Sequence, residues 1–117
     1  MANQYIDLSF LKEFSDNDAN FIKEYVDDFL QAGPEDLQKL TDAIAAKDWD
    51  KTYKVAHNLK SSARYLGMHS IKDVIETVEK NALRKENLDD IPKLFVDIKK
   101  VCELALEELK KTSQSLS

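Results

Sequence analysis

A chain of 117 residues with 33% charged and 43% hydrophobic side chains has the size and apolar content for a single domain with one continuous core. Its formal net charge of -5 argues against general nucleic-acid binding, which needs a broad basic surface. No apolar run is long enough to cross a bilayer or to act as a secretion signal, and the one cysteine, Cys102, has no intramolecular partner, so a soluble, cytoplasmic protein is expected.

Two glycines and two prolines leave little punctuation, and the apolar residues recur at helical spacing, which predicts an all-α fold. Asp7 is placed to cap a short N-terminal helix, about residues 7–14, whose Leu8, Leu11 and Phe14 repeat at three-residue spacing and would lid one end of a bundle. Ser15-Asp16-Asn17-Asp18 is a turn and N-cap cluster. The helix after it, running to about Lys47, aligns Phe21, Tyr25, Phe29, Leu30, Leu37, Leu40 and Ile44 into one apolar stripe. Gly33-Pro34 interrupts that stripe, and a break into two helices competes with a bend in one. An interior proline costs about 3 kcal/mol, yet the stripe continues in phase from Phe29 and Leu30 to Leu37 and Leu40, which favours the bend.

Asp48 caps the next helix, with Trp49 expected on its core side and Gly67 ending it in a left-handed conformation. At about 100° per residue, Val55, Leu59 and Leu66 share one face with Ala56 and Ala63 at its margin. His57 points away from that face, together with Tyr53, Lys54, Lys60, Ser61 and Arg64. Lys51 to Lys72 holds five cationic side chains and no acid, so an exposed imidazole sits in a local positive stripe of an acidic chain. Ser70 with Asp73 predicts a capping box for a following antiparallel helix that turns Ile71, Val74, Ile75, Val78 and Ala82 or Leu83 inward. Asn87 to Pro92 is a second capping region. The last helix then buries Leu94, Phe95, Ile98, Val101, Cys102, Ala105 and Leu109, with Cys102 as a small core hydrophobe and the polar tail 112–117 frayed. The sum is an antiparallel four-helix bundle with a short additional N-terminal helix, one domain over residues 1–117.

The run His57-Asn58-Leu59-Lys60-Ser61-Ser62-Ala63-Arg64-Tyr65-Leu66-Gly67 resembles the signature of histidine-containing phosphotransfer (HPt) domains. It sets His57, Leu59, Lys60, Ser62, Leu66 and Gly67 at the family's spacing, and Asp48-Trp49 is similar to the family's approach to this helix. Ser61 is a departure, because that position is most often glycine in the family. The resemblance extends from about Tyr5 to Leu109, with Asp48 to Gly67 its diagnostic part.

The resemblance implies a module of a multistep two-component relay, in which His57 takes a phosphoryl group from an aspartyl phosphate of one receiver domain and passes it to an aspartate of another. It also implies a monomer with no cofactor of its own, the receiver supplying Mg²⁺. An imidazole suits the task because its ordinary pKa, about 6.5, leaves it largely neutral near pH 7. Lys60, one turn on and about 5–6 Å away between Cβ atoms, can neutralise part of the phosphoryl charge. Tyr53 is either a platform for the partner or a core-edge residue, Arg64 either a docking cation or a solvated one, and Lys54 and Ser61 border the same surface. In the resembling family a Gln or Glu on the following helix holds the other imidazole nitrogen. Glu79 matches that position by spacing, and Glu76, one turn earlier, is the alternative.

His69 reads as structural or solvent-exposed, and no metal-ligand spacing joins it to His57 and Cys102. The chain has no glycine-rich nucleotide loop, so autophosphorylation is not expected. Two rival readings remain: a helical adaptor that binds receivers without transfer, and the phospho-accepting domain of a chemotaxis-type kinase.

Overall fold

In the computed structural model, which describes residues 3–116, the apolar periodicity resolves into five helices and one 3-10 turn. They are α1 (Ser9–Phe14), α2 (Ala19–Ala45), α3 (Trp49–Tyr65), α4 (His69–Arg84), the 3-10 turn Leu88–Asp90, and α5 (Ile91–Leu116). Short connections force successive helices from α2 to α5 to run antiparallel, and α5 closes the ring by packing on α2. The bundle measures 42 × 21 × 21 Å, its long axis set by α2, whose 27 residues span about 40 Å. Val26, Leu40, Leu59, Leu66, Ile75, Val78, Ile91 and Leu109 are fully enclosed at its centre, each such aliphatic side chain contributing about 1.5–3 kcal/mol by leaving water.

The Asp18 carboxylate caps α2 by accepting from the amides of Asn20 (3.0 Å) and Phe21 (3.3 Å). From there α2 runs unbroken through Pro34, one helix and not two. Gly33 faces inward because a Cβ there would lie 3.0 Å from the Phe29 ring and 3.3 Å from Leu106. The helix ends at Ala45, two residues before the predicted Lys47, which takes the left-handed conformation in the turn. Its inward track is Ile22, Val26, Phe29, Gly33, Leu37, Leu40 and Ala43. The predicted stripe was displaced by one residue in its first half, where apolar side chains occupy two neighbouring tracks. Phe21 is exposed, and Tyr25, Leu30 and Ile44 are half-buried.

Asp48 caps α3 as expected, its carboxylate accepting from the Lys51 amide at 3.1 Å. Trp49 is half-buried at the edge and not in the core, whereas Ala56 and Ala63 are fully enclosed, small enough to let α4 approach. The Met68 amide donates to Ala63 O (2.8 Å) across Gly67, whose φ is +67°. The predicted Ser70–Asp73 capping box does not form. Met68 is buried and is the N-cap, two residues before Ser70, so Ser70 lies within the first turn of α4 and no side chain caps the helix. Ala82 turns inward, Val74 is half-buried, and Leu83 faces water.

In α5, Phe95, Ile98, Cys102, Ala105, Leu106 and Leu109 are buried while Leu94 and Val101 are half-buried. Burial pushes the Cys102 thiol up to about 12. The tail predicted to fray is helical to Leu116, with Ser117 outside the described residues. It is held because Ser113 donates to the Asp27 carboxylate of α2 and Leu116 packs against the core.

The N-terminal segment is fastened by polar contacts. Glu108 of α5 accepts from the Gln4 and Tyr5 amides, each at 2.8 Å, and the Asp7 amide donates to Leu66 O at 2.9 Å. The Asp7 carboxylate accepts from the Ser9 hydroxyl (2.6 Å) and amide (3.0 Å) and pairs with His69 (3.2 Å). Those contacts, the Ser9 hydroxyl first, hold the Asp7 carboxyl at about 2. Leu8, the N-cap, and Leu11 turn inward, but Phe14 does not: it is exposed, contrary to the three-residue repeat, and Leu11 is the buried residue of the six-residue helix.

Gly67 thus serves two purposes. It accommodates a positive φ, and it leaves room for the strap, since a Cβ there would lie 2.0 Å from Asp7 O. Gly67→Ala is expected to cost about 1–2 kcal/mol from the backbone alone, with more from displacement of the strap, so the melting temperature falls by several degrees and the Asp7 amide loses hydrogen-exchange protection. A variant that melts with the wild type would contradict this account.

Candidate functional site around His57

Antiparallel packing of α3 on α4 sets one edge of α3, carrying His57 and Lys60 one turn apart, against Glu79 of α4. Glu79 follows the core residues Ile75 and Val78 and stands beside Ala82, which draws it into the interface: it is 7% exposed. One of its carboxylate oxygens takes a short hydrogen bond from His57 Nδ1, and the other accepts from Lys60 Nζ at 2.7 Å. Glu76 is exposed, so of the two candidate acids it is Glu79 that meets the imidazole.

The electrostatics of this group follow from burial and pairing. Burial pushes the Glu79 carboxyl up, but the hydrogen bonds from Lys60 and His57 and their charges outweigh it, and the net displacement is downward. Glu79 is therefore a carboxylate at neutral pH, able only to accept. His57 Nδ1 must carry the proton, which leaves the lone pair of the neutral ring on Nε2. The side chain is 53% exposed, so that lone pair is presented to water. A fixed ring with one nitrogen tied down and the other bare is a positioned nucleophile.

The other predicted residues fall around this centre. Tyr53, half-buried against the core, lays its ring beside the imidazole at a centroid distance of 6.0 Å and an interplanar angle of 30°. It is a core-edge residue that also flanks the imidazole. Lys54, Ser61 and Arg64 are exposed along the outward side of α3. The Ser61 hydroxyl turns back toward His57 O at 3.4 Å, leaving the surface over this turn low. Lys60, expected beside the imidazole, is there, with only 20% of its side chain exposed and its ammonium engaged by Glu79. His69 belongs to the strap contact with Asp7 and not to this centre. Among the described residues no group of three or more His, Cys, Asp and Glu is arranged to hold a metal ion, and no helix is long and apolar enough to cross a membrane.

Sequence spacing matched Glu79 to His57 but did not show its burial or its second bond, to Lys60. The available signal was an acid directly beside the core track Ile75, Val78 and Ala82. Missed altogether was a group of rings, Phe10, Phe14, Phe21, Tyr25 and Tyr65, that gathers where α1 meets α2 and the end of α3.

Comparison with known proteins gives this geometry a family. The family model for the Hpt domain matches residues 24–112. The phosphorelay intermediate protein rdeA of Dictyostelium discoideum is 24% identical over 97 residues, which are 83% of this chain. The chain spans 38% of that relative's length. Its fold is similar to the crystal structure of histidine-containing phosphotransfer protein B (HptB) from Pseudomonas aeruginosa PAO1, with a TM-score of 0.85, 19% identity, and coverage of 97% of this chain and 98% of the other. With the family model covering most of its length and the bundle reproduced nearly end to end, the chain belongs to the Hpt domain family.

Proposed function

We propose that this chain is a phosphohistidine carrier in a two-component phosphorelay, with His57 Nε2 as the atom that is phosphorylated. The observation that carries the reading is the exposed imidazole whose Nδ1–H is held by a buried carboxylate. In the forward step the Nε2 lone pair attacks the phosphorus of a receiver's aspartyl phosphate, the P–O bond to the aspartate breaks, and the aspartate leaves as a carboxylate. The ring keeps its Nδ1 proton and becomes cationic, which Glu79 stabilises by an existing hydrogen bond. In the return step another receiver's aspartate attacks the phosphorus, the P–N bond breaks, and the neutral imidazole departs with its tautomer unchanged.

Lys60 stands one turn from His57 with its charge balanced by Glu79. A phosphoryl group on Nε2 brings a second, larger anion to the same lysine, which can then share its charge between the two. Lys54 and Arg64 meet the acidic surface of a receiver, and Ser61 leaves room for its approach. Mg²⁺ and most of the transition-state stabilisation come from the receiver in this reading, and the chain works as a cytoplasmic monomer that carries phosphate without kinase activity of its own.

The direct test is to incubate the chain with a phosphorylated receiver domain and locate the acid-labile phosphate. His57→Gln is expected to abolish phosphate acceptance and, because it removes one of the two donors to the buried Glu79 carboxylate, to cost about 1–3 kcal/mol of stability while the helical fold, read by circular dichroism, is kept. Retained phosphate in this variant, on His69 for example, would refute the assignment.

Lys60→Ala should slow transfer and, because it leaves Glu79 buried with one partner fewer, also cost about 1–3 kcal/mol of stability. The sign of its pH dependence follows from the lowered carboxyl of Glu79. The ion pair contributes fully above the ordinary carboxylate range and is lost as pH falls through the lowered value. Denaturation of both proteins should therefore show a gap at pH 7 that closes in acid, and a gap that stays constant would mean that Lys60 stabilises by packing.

A further inference from the structure

The transfer steps at His57 leave Tyr53 without a part. It precedes the histidine by four residues, so the two stand one above the other on the same row of α3. Cα–Cβ bonds in a helix lean toward its N-terminus, and the His57 ring therefore comes to rest over the turn that carries Tyr53. The centroid separation of 6.0 Å lies within the range of about 4.5–7 Å at which aromatic rings pack together. Tyr53 is itself half-buried and packed against the core, which keeps its ring from moving aside.

An imidazole on the surface of a helix is not fixed by its backbone. With χ1 near +60° excluded by the preceding turn, two χ1 wells and two χ2 orientations remain, about four arrangements in all. The one adopted here puts Nδ1 against the Glu79 carboxylate and turns Nε2 outward. The hydrogen bond favours that arrangement, but the His57 side chain is 53% exposed, and water competes for the same donor. A packed ring has no such competitor. The imidazole is bounded by Tyr53 on its N-terminal side, by Glu79 on the α4 side, and on its C-terminal side by Lys60, whose ammonium is held on Glu79 at 2.7 Å. The seat so formed is open outward, where a phosphoryl group arrives.

We propose that Tyr53 is a positioning residue for phosphotransfer: its ring is the wall that holds the His57 imidazole in the rotamer from which Nε2 reacts. This deepens the phosphocarrier reading above and rests on it. Glu79 chooses which nitrogen carries the proton, and Tyr53 restricts where the ring points, so the two act on different properties of one nucleophile. The wall is the flat ring and not the hydroxyl, and phenylalanine serves in its place.

The test uses the full chain with Tyr53→Phe and Tyr53→Ala, charged by phosphoramidate, a small donor that needs no docking, or by a phosphorylated receiver domain that charges the wild type. Release of the ring into about four arrangements lowers the reactive population, so Tyr53→Ala is expected to slow charging by about two- to fourfold with either donor. The deficit persists at saturating receiver, and Tyr53→Phe charges at the wild-type rate. In NMR of the imidazole nitrogens of the uncharged chain, the Nδ1 proton of His57 exchanges with water faster in Tyr53→Ala than in the wild type or Tyr53→Phe. Should Tyr53→Ala melt early, Tyr53→Val, which keeps apolar contact near the backbone but is too short to reach the imidazole, decides the matter. Wild-type charging by both donors, or unchanged exchange of the ring proton, overturns the proposal. So does a variant slowed only with the receiver and restored at saturation, which would make Tyr53 a docking contact, and so does an equal loss in Tyr53→Phe, which would move the role to the hydroxyl. Failure of both donors with the wild type overturns the carrier reading and with it the role in transfer, and the exchange of the ring proton distinguishes that failure from a failure of the wall.

Discussion

One carboxylate governs the arrangement at the centre of this molecule. Glu79 is taken out of water by the packing of α4 on α3, and a buried acid is tolerable only when its charge is met. Two donors from α3 meet it, the imidazole Nδ1 of His57 and the ammonium of Lys60 at 2.7 Å. The same two bonds that make its burial affordable orient the imidazole and choose its tautomer. Packing and chemistry are therefore one constraint: the depth of the α3–α4 contact, set by the enclosed Ala56, Leu59, Ala63, Ile75 and Val78, decides whether Nε2 faces outward with a lone pair.

The bundle was legible from the sequence because its apolar residues recur in phase over long stretches. The inward face of α3 and its outward histidine were read from the helical wheel, and an unbroken α2 followed from a stripe that stays in register across Gly33-Pro34. Legibility failed where two apolar tracks lie side by side. Phe21 and Tyr25 are as apolar as Ile22 and Val26, and only the position of α1 and α3 determines which pair meets the core. It failed again at the start of α4, where the burial of Met68 overrode the local capping signal of Ser70 and Asp73, and at the C-terminal tail, whose polar residues are kept helical by a contact with Asp27 that is 86 residues away in sequence.

The site shows the same division. Spacing placed His57, Lys60 and Glu79 in the right neighbourhood, because i to i+3 geometry and an antiparallel hairpin are regular. Helical phase alone did not settle the choice between Glu79 and Glu76, which rested on the family's spacing, and a wheel drawn for one helix says nothing about how closely its neighbour approaches. The consequence for Lys60 was also hidden. The helical wheel puts it on the outward half of α3 beside His57, and only the third dimension shows its ammonium folded back onto Glu79.

The strap at the N-terminus has a bearing on how such a protein can change over generations. Its attachment uses Asp7, Leu66, His69 and Glu108, of which Leu66 and Glu108 contribute a backbone carbonyl and a carboxylate that receives backbone amides. None of these bonds involves the outer side chains of α1 or any atom of His57, Lys60 or Glu79. Substitutions on that outer side therefore leave the fastening bonds of the strap and the His57–Glu79–Lys60 group in place. A duplicated copy can change the outer side of α1 while the group formed by His57, Lys60 and Glu79 passes to the daughter lineage unaltered.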